Sequence, residues 1–413
     1  MALGAGGGRV GLLKRARGFR LLLLATFASS VGTWLAFIAL VIDVFDETRS
    51  ATWVSALLAV EFLPLVVIGL FAGPLLDRLP RRRVLIGADV VRAALFCILP
   101  FTTSALQIVL LALLVGIATS FFRPAVYAGL PNLVDDEQLP RANGLLQSAD
   151  NVTLAAGPLL GGLLVAWTGP DPAYWVNAAS FVISALLILR IRGTLEQGKA
   201  ESEGHWRELV EGLALVKRSR PLLTVLVVWT IFMVASALVS VAEVILAKRV
   251  FDAGDAGYGL LLSAMGLGLV LGGLWASEWV GERGARAPYA FGIAAMAVGI
   301  GAAAAAPNVW VCSALLLIAG TGNGVSLVCN AVFIQRGVPD RVRGRAFTLA
   351  MSVSYAALGL GMIPAGPLTD AIGAREVWGI AAGLLGVACL ASLLMTRGVS
   401  VEAQTGREQA VPS

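Results

Sequence analysis

The chain has 413 residues, of which 58% are hydrophobic and 14% are charged, and its mean hydropathy is +0.83. A soluble domain of this length cannot bury so much apolar surface, so the composition excludes a soluble protein and indicates one with many membrane spans. The net charge of +5 comes mainly from arginines between the apolar runs. This is typical of a membrane-orientation signal, and we therefore expect no nucleic-acid partner. The four cysteines lie inside apolar runs without the spacing of a metal site, so we expect no metal and no cofactor.

Twelve stretches of the sequence are long and apolar enough to cross a bilayer, which takes about 20 residues. The predicted spans, numbered in chain order, run near 19–45, 53–76, 84–103, 106–130, 141–168, 172–191, 221–247, 257–280, 288–306, 309–335, 345–370 and 376–396. The first span is too long for the apolar core of a secretory signal and is predicted to be a transmembrane helix. We therefore expect an all-α membrane protein with twelve transmembrane helices.

The basic residues between the spans predict how the chain crosses the membrane. If the N-terminus is cytoplasmic and the sides alternate, 25 lysines and arginines fall on the cytoplasmic side and 4 on the other. Cytoplasmic loops carry such an excess in polytopic proteins. The sequence therefore predicts a multi-pass protein of the cell membrane with both termini in the cytoplasm.

A weak internal repeat divides the chain. At an offset of 204 residues, Arg141 falls on Arg345 and Gly157 falls on Gly361. Two parallel six-helix halves, with a substrate site between them at the midplane, are typical of transporters. We therefore predict two pseudo-symmetric six-helix halves. The predicted segments are a cytoplasmic tail at 1–18, a bundle at 19–191, a cytoplasmic linker with an amphipathic helix at 192–220, a second bundle at 221–396 and a cytoplasmic tail at 397–413.

Ionisable side chains inside the spans are costly in lipid and are therefore candidates for function. Glu61 in span 2 and Asp150 in span 5 lie near the predicted midplane, and Arg123 in span 4 lies within reach of Asp150. We predict that Asp150, with Glu61 as the second candidate, carries a proton and alternates between a protonated and an arginine-paired state. Asp89 and Arg92, three residues apart in span 3, are predicted to neutralise each other.

Span 5 contains the run TLAAGPLLGG at 153–162, with four residues that disfavour helix: Gly157, Pro158, Gly161 and Gly162. Pro158 removes one amide donor and allows a bend, while Gly157 and Gly161 expose a bare face on which another helix can pack closely. Gly268 and Gly272 in span 8 have the same spacing. We predict a tight seam between spans 5 and 8 at these glycines, which seals one end of the transport pathway.

Several motifs resemble one family. Residues 73–83, GPLLDRLPRRR, resemble the loop 2-3 signature of the major facilitator superfamily, and Gly-Pro-x-x-Gly-Gly in span 5 is similar to the antiporter motif of its exporters. The stretches FFRPAVYAGLPNLV at 121–134, RANGLL at 141–146 and EGLALVKRSRPLL at 211–223 resemble its enterobactin-exporter and macrolide-efflux branch. The chain departs from its relatives in span 1, where residues 29–36 include no carboxylate.

The resemblance implies a conformational latch in loop 2-3, formed by Gly73, Asp77, Arg78 and Arg81, with Asp77 against the start of span 11. It also implies a proton-coupled exporter of a small organic compound, such as a siderophore or a hydrophobic drug, that works by alternating access. Its expected partners are the small-molecule substrate, protons and the lipid bilayer, and we expect a monomer.

Two alternatives stay open. One is a uniporter or importer of the same superfamily, for example for lysophospholipid, against which the motif in span 5 argues. The other is a polytopic membrane enzyme. That class needs a cluster of histidines and acids or a nucleotide loop, which the sequence does not offer.

Overall fold

The computed structural model describes residues 11–13, 16–71, 79–192, 195, 219–337 and 340–396. Within these ranges the secondary structure is helical, without a strand, and twelve helices are long and apolar enough to span a membrane. They are α1 (Arg17–Thr48), α2 (Ala51–Phe71), α3 (Arg81–Ile98), α4 (Ala105–Gly129), α5 (Leu139–Thr168), α6 (Asp171–Leu189), α7 (Arg220–Ile245), α8 (Gly254–Arg283), α9 (Arg286–Ala304), α10 (Val309–Gly337), α11 (Asp340–Ile372) and α12 (Ala374–Met395). Each helix overlaps one predicted span, so the predicted all-α class and the number of spans are confirmed.

The helices end where the backbone turns sharply. Arg49 adopts the left-handed conformation after α1 and donates its N–H to the carbonyl of Phe45. Gly169 after α5 and Gly373 between α11 and α12 have φ of +78° and +102°, which glycine adopts without a steric penalty. These turns are short, so the helices that they join run in opposite directions. In each unit we call the side at which the odd-numbered helices begin the basic face, and the other side the opposite face.

The chain forms two compact units. The first comprises Met1–Ser202 with Ala247–Ser263, and the second comprises Glu203–Leu246 with Ala264–Ser413. The first unit thus contains α1 to α6 together with the turn after α7 and the first part of α8. The predicted amphipathic linker helix falls within residues 196–218, outside the described ranges.

The two units repeat the same internal arrangement. In the first, α1 packs on α5 and α6, and α3 packs on α4 and α6; in the second, α7 packs on α11 and α12, and α9 packs on α10 and α12. The repeat is visible at single residues: a Cβ on Gly157 of α5 would meet Trp34 of α1, and one on Gly361 of α11 would meet Val234 and Ala237 of α7. The predicted pseudo-symmetry of the two halves is confirmed.

Buried apolar side chains form a core near the basic face of each unit. In the first unit this core includes Phe19, Leu85 and Phe122, and in the second it includes Tyr289 and Phe333. Farther from the basic face, the interior of the first unit opens into a cavity.

Candidate functional site

The cavity of the first unit has a volume of about 460 Å³ and is surrounded by α1 to α6. Aromatic side chains form much of its wall: Trp34, Phe37, Phe62, Phe96, Phe122, Tyr127 and Phe181. Four charged side chains also line it: Glu61, Arg92, Arg123 and Asp150. The three charged residues predicted to serve coupling therefore line one cavity, and Arg92 joins them.

Asp150 is held from two neighbouring helices. Its Oδ2 lies 2.6 Å from Nη2 of Arg123 on α4, and its Oδ1 accepts a hydrogen bond of 3.3 Å from the hydroxyl of Ser30 on α1. The side chains of Arg123 and Asp150 are 54% and 26% exposed, so the pair is open to the cavity. The contact with Ser30 was not predicted, because a single serine in an apolar span is a weak signal.

Glu61 on α2 lines the same cavity but has no such partner. Within the part of the chain that the structure describes, its carboxylate makes no hydrogen bond or ion pair. Pro64, one turn further along α2, cannot donate to the carbonyl of Val60. A Cβ on Gly116 of α4 would lie 2.9 Å from that carbonyl, so α2 and α4 approach closely beside Glu61. Among the described residues the two acids of the cavity thus differ, because Asp150 has a charged partner and Glu61 has none.

Asp89 and Arg92 form a buried ion pair within α3. The Nη2 of Arg92 lies 2.5 Å from Oδ1 of Asp89, and the side chains of Arg92 and Asp89 are 4% and 0% exposed. The guanidinium also lies over the rings of Phe122 and Phe181, at 4.3 and 4.2 Å from their centroids. The predicted pairing is confirmed, but the sequence did not indicate that these aromatic rings place Arg92 at the cavity wall.

The glycines of α5 face two different helices. A Cβ on Gly157 would lie 2.5 Å from Trp34 of α1, and one on Gly161 would lie 3.1 Å from Ile38 of the same helix. On the other side, a Cβ on Gly162 would lie 2.6 Å from the carbonyl of Asp255 and 3.1 Å from Gly259, in the first turns of α8.

The proline of the motif also faces α8. A Cβ on Gly259 would lie 2.3 Å from the carbonyl of Pro158, and the N–H of Leu159 donates to the hydroxyl of Ser263 over 2.8 Å. The Gly-Pro-x-x-Gly-Gly motif of α5 thus packs with its backbone directly against the backbone at the beginning of α8.

The predicted seam partners are wrong in detail. Gly268 and Gly272 of α8 pack against α10, where a Cβ on Gly268 would lie 2.2 Å from the carbonyl of Leu317 and one on Gly272 would lie 2.0 Å from that of Thr321. The glycine of α8 that meets α5 is Gly259. Small-residue spacing shows that a helix has a bare face, but it does not show which neighbour covers that face.

Only part of the predicted latch can be placed. Gly73, Asp77 and Arg78 lie outside the described residues. Arg81, at the start of α3, donates to the carbonyl of Ala128 at the end of α4 over 2.8 Å and to that of Leu195 over 3.3 Å. Arg81 therefore holds a helix end of its own unit.

An ionic cluster lies at the opposite face of the first unit. The Nζ of Lys248 lies 2.6 Å from Oδ2 of Asp46 at the end of α1 and 2.5 Å from Oδ1 of Asp255 at the start of α8. Arg249 donates to the carbonyl of Arg49. These contacts fix the turn between α7 and α8 onto the end of α1.

No metal site accompanies these groups in the described ranges. No three histidine, cysteine, aspartate or glutamate side chains there are placed to hold an ion together. The lining of the cavity offers carboxylates, arginines, hydroxyls and aromatic rings.

Comparison with known proteins agrees with this architecture. The family model for the Major Facilitator Superfamily matches residues 22–361. The chain is 29% identical over 370 residues to the multidrug efflux pump Tap of Mycolicibacterium fortuitum, covering 86% of this chain and 89% of Tap. It is 24% identical over 366 residues to macrolide efflux protein A of Streptococcus pyogenes, and the alignment covers 86% of this chain and 89% of that protein. The crystal structure of the nucleoside transporter NupG shares the fold, with a TM-score of 0.72 at 15% identity over 92% of this chain and 99% of that one.

In the part of the chain that the structure describes, twelve helices suited to spanning a membrane form two repeated units, with a cavity inside one of them, and define a multi-pass membrane protein. The chain belongs to the Major Facilitator Superfamily, and the curated relatives described above are efflux proteins.

Proposed function

We propose that this protein is a secondary active efflux transporter that exports a small organic compound in exchange for protons, by alternating access. The observation that carries the proposal is the Arg123–Asp150 pair in the wall of the cavity. The relatives named for multidrug and macrolide efflux support a drug-like substrate, and a siderophore is the other candidate.

The ion pair offers a way to couple protons to transport. A proton on Asp150 removes the charge that attracts Arg123, so the guanidinium is released toward the cavity. When Arg123 returns, the carboxylate is stabilised in its charged form and the proton leaves. Each cycle thus takes one proton onto Asp150 and gives one proton up. In the arginine-paired state the carboxylate also accepts a hydrogen bond from the hydroxyl of Ser30.

The wall of the cavity indicates the kind of solute. A volume of about 460 Å³ lies within the range of small-molecule sites, which are mostly apolar with a few polar groups. Aromatic rings such as Trp34 and Phe62 suit an apolar body. The carboxylate of Glu61, which has no partner among the described residues, suits a basic nitrogen on that body. We therefore favour an amphiphilic organic compound.

The orientation is part of the proposal. The excess of lysine and arginine at the basic face favours a cytoplasmic location for that face and for both termini in the cell membrane. Export then carries the compound from the basic face to the opposite face. A monomer is sufficient, because a single chain builds the whole cavity.

Transport by the purified protein in liposomes tests the proposal. A panel containing a macrolide, a lipophilic organic cation, a catecholate siderophore and a lysophospholipid is applied, with an internal pH dye. We expect at least one compound to drive proton movement in the opposite direction. Asp150→Asn should abolish uphill transport driven by a proton gradient but retain exchange of labelled for unlabelled compound.

Asp136→Asn is the matched control, because Asp136 lies in an exposed turn before α5 and away from the cavity. It should transport as the unmodified protein does. Uphill transport by Asp150→Asn at the normal rate would remove Asp150 from the mechanism. Movement of lysophospholipid down its gradient without protons would identify a uniporter or importer instead.

A further inference from the structure

A second concavity lies on the outside of the first unit, between α3 and α4. It has a volume of about 450 Å³, and its lining is apolar except at one end. The floor is made of the small residues Gly87, Ala88 and Ala118, and the walls include Val91 and Leu114. We call this concavity the α3–α4 groove.

The groove is open rather than filled by a neighbouring helix. Nothing lies within 4 Å of the position that a Cβ on Gly87 would take. The walls are partly exposed, with Val91 at 48%, Leu114 at 47% and Ile117 at 37%. On a spanning helix such surface is in contact with lipid chains. An acyl chain is narrow enough to lie along such a groove between two adjacent helices.

An arginine lies at one end of the groove. Of the three consecutive arginines that begin α3, Arg81 donates to the carbonyls of Ala128 and Leu195, and Arg82 donates to that of Leu189. Arg83 lines the groove, is exposed and makes no hydrogen bond or ion pair within the described ranges. No described residue therefore takes up the donors of its guanidinium.

The position of Arg83 matches the level of lipid headgroups. It lies in the first turn of α3, at the basic face, and the groove continues from there to Leu95, roughly 18 Å by helical rise. That length is about half of the hydrocarbon core, which is the depth of one leaflet. A planar guanidinium binds phosphate oxygens in pairs, and basic side chains beside grooves between spanning helices bind anionic headgroups.

We propose that the α3–α4 groove binds one anionic phospholipid from the leaflet at the basic face, with an acyl chain on Gly87 and Ala88 and the phosphate on Arg83. The charge of Arg83 selects the headgroup, and the open floor at Gly87 admits the chain. The site is separate from the cavity that contains Asp150 and does not depend on what the protein transports.

Native mass spectrometry of the full-length protein, titrated in detergent with phosphatidylglycerol and with phosphatidylcholine, tests the proposal. We expect one phosphatidylglycerol to be retained in preference to phosphatidylcholine. Arg83→Gln should weaken its binding about fivefold, the usual effect of one basic residue near a membrane surface. Gly87→Leu should weaken binding of both lipids by filling the floor, and nothing lies within 4 Å of the position of its Cβ.

Two control variants match these changes. Arg336→Gln removes an exposed arginine near the end of α10, also at the basic face, and Gly383→Leu fills open space on the exposed side of α12. Neither should alter lipid binding. Thermal unfolding of each variant reports whether it folds, and Gly87→Ala gives a smaller change at the same position.

Any of four results would overturn the proposal. They are equal retention of the two lipids by the unmodified protein, full binding by Arg83→Gln, full binding by Gly87→Leu in a folded variant, and an equal loss in Arg336→Gln. A dimer of the unmodified protein that Gly87→Leu dissociates would show that a second copy of the chain occupies the groove.

Discussion

Asp150 and Glu61 are both carboxylates of one cavity, and their surroundings separate their roles. Asp150 is bonded to Arg123 and Ser30, so a change in its protonation changes contacts with two helices. Glu61 has no partner to release within the described ranges. A carboxylate that faces an aromatic wall without a counter-charge is better suited to a cation that arrives with the substrate than to a proton relay.

Glu61→Gln tests this distinction because it keeps the shape of the side chain and removes its charge. We expect the KM for an organic cation to rise about tenfold, the usual effect of losing a hydrogen bond to a charged group. The KM for a neutral compound should hardly change. Glu137→Gln, in an exposed turn, is the control. If Glu61→Gln instead loses proton coupling with every compound while Asp150→Asn pumps, the proton site is on α2.

The buried pair in α3 gives a prediction about stability. Arg92→Met leaves the carboxylate of Asp89 buried without a counter-charge, which typically costs about 3–5 kcal/mol of the free energy of unfolding. The double variant Asp89→Leu, Arg92→Met should recover most of that loss, because no charge remains unpaired. Thermal unfolding in detergent measures both. Equal destabilisation by the single and double variants would show that Arg92 acts through packing on Phe122 and Phe181 alone.

The residue contacts of the site were partly predictable. The approach of Arg123 to Asp150 follows from their positions in consecutive spans, and the Asp89–Arg92 pair follows from their spacing of three. The place of Arg92 in the cavity wall does not follow from the sequence, because it depends on Phe122 and Phe181 from two other helices. Side chains that meet through tertiary packing leave no local pattern.

At the level of helices, α5 presents one glycine face to α1 and another to the beginning of α8. The contact with α8 joins backbone to backbone, because a Cβ on Gly162 would lie 2.6 Å from the carbonyl of Asp255. Movement of the first turns of α8 therefore requires that this contact opens.

Gly162→Ala tests the contact with α8. Overpacking costs about 1–3 kcal/mol, so we expect the arrangement shown here to be disfavoured about tenfold or more and the transport rate to fall. Hydrogen exchange in residues 254–263 should increase. Gly144→Ala on the same helix, where nothing lies within 4 Å, should transport normally. Normal transport and exchange in Gly162→Ala would show that the motif is packing alone.

The helices themselves were well predicted, since all twelve spans were located from apolar runs separated by charged or proline-containing turns. Their packing partners were not. Gly268 and Gly272 were paired with α5 on spacing, whereas the structure places them on α10. Hydropathy indicates that a helix lies in the membrane. All twelve helices share that property, so it does not indicate which of them are neighbours.

For the whole molecule, the distribution of basic residues predicts the orientation in the membrane. Reporter fusions after Lys199 and after Arg397 should both give a cytoplasmic signal, because alternating sides put 25 lysines and arginines of the sequence on the side of the N-terminus and 4 on the other. Fusions after Arg49 and Asp252 serve as controls and should report the opposite side. An external signal from either of the first two fusions would contradict the twelve-span orientation.

The ionic cluster around Lys248 also shapes the electric field at the opposite face. In the first unit that face holds three basic residues, Arg49, Lys248 and Arg249, and each is engaged with the end of α1 or the start of α8. The acids there are more numerous: Asp46, Glu47, Asp171, Asp252 and Asp255. In the first unit the described part of this face therefore carries more negative than positive side chains, and such a surplus raises the local concentration of protons. Salt screens the effect over about 10 Å at 0.1 M, so the proton concentration at this face depends on ionic strength as well as on the pH of the solution.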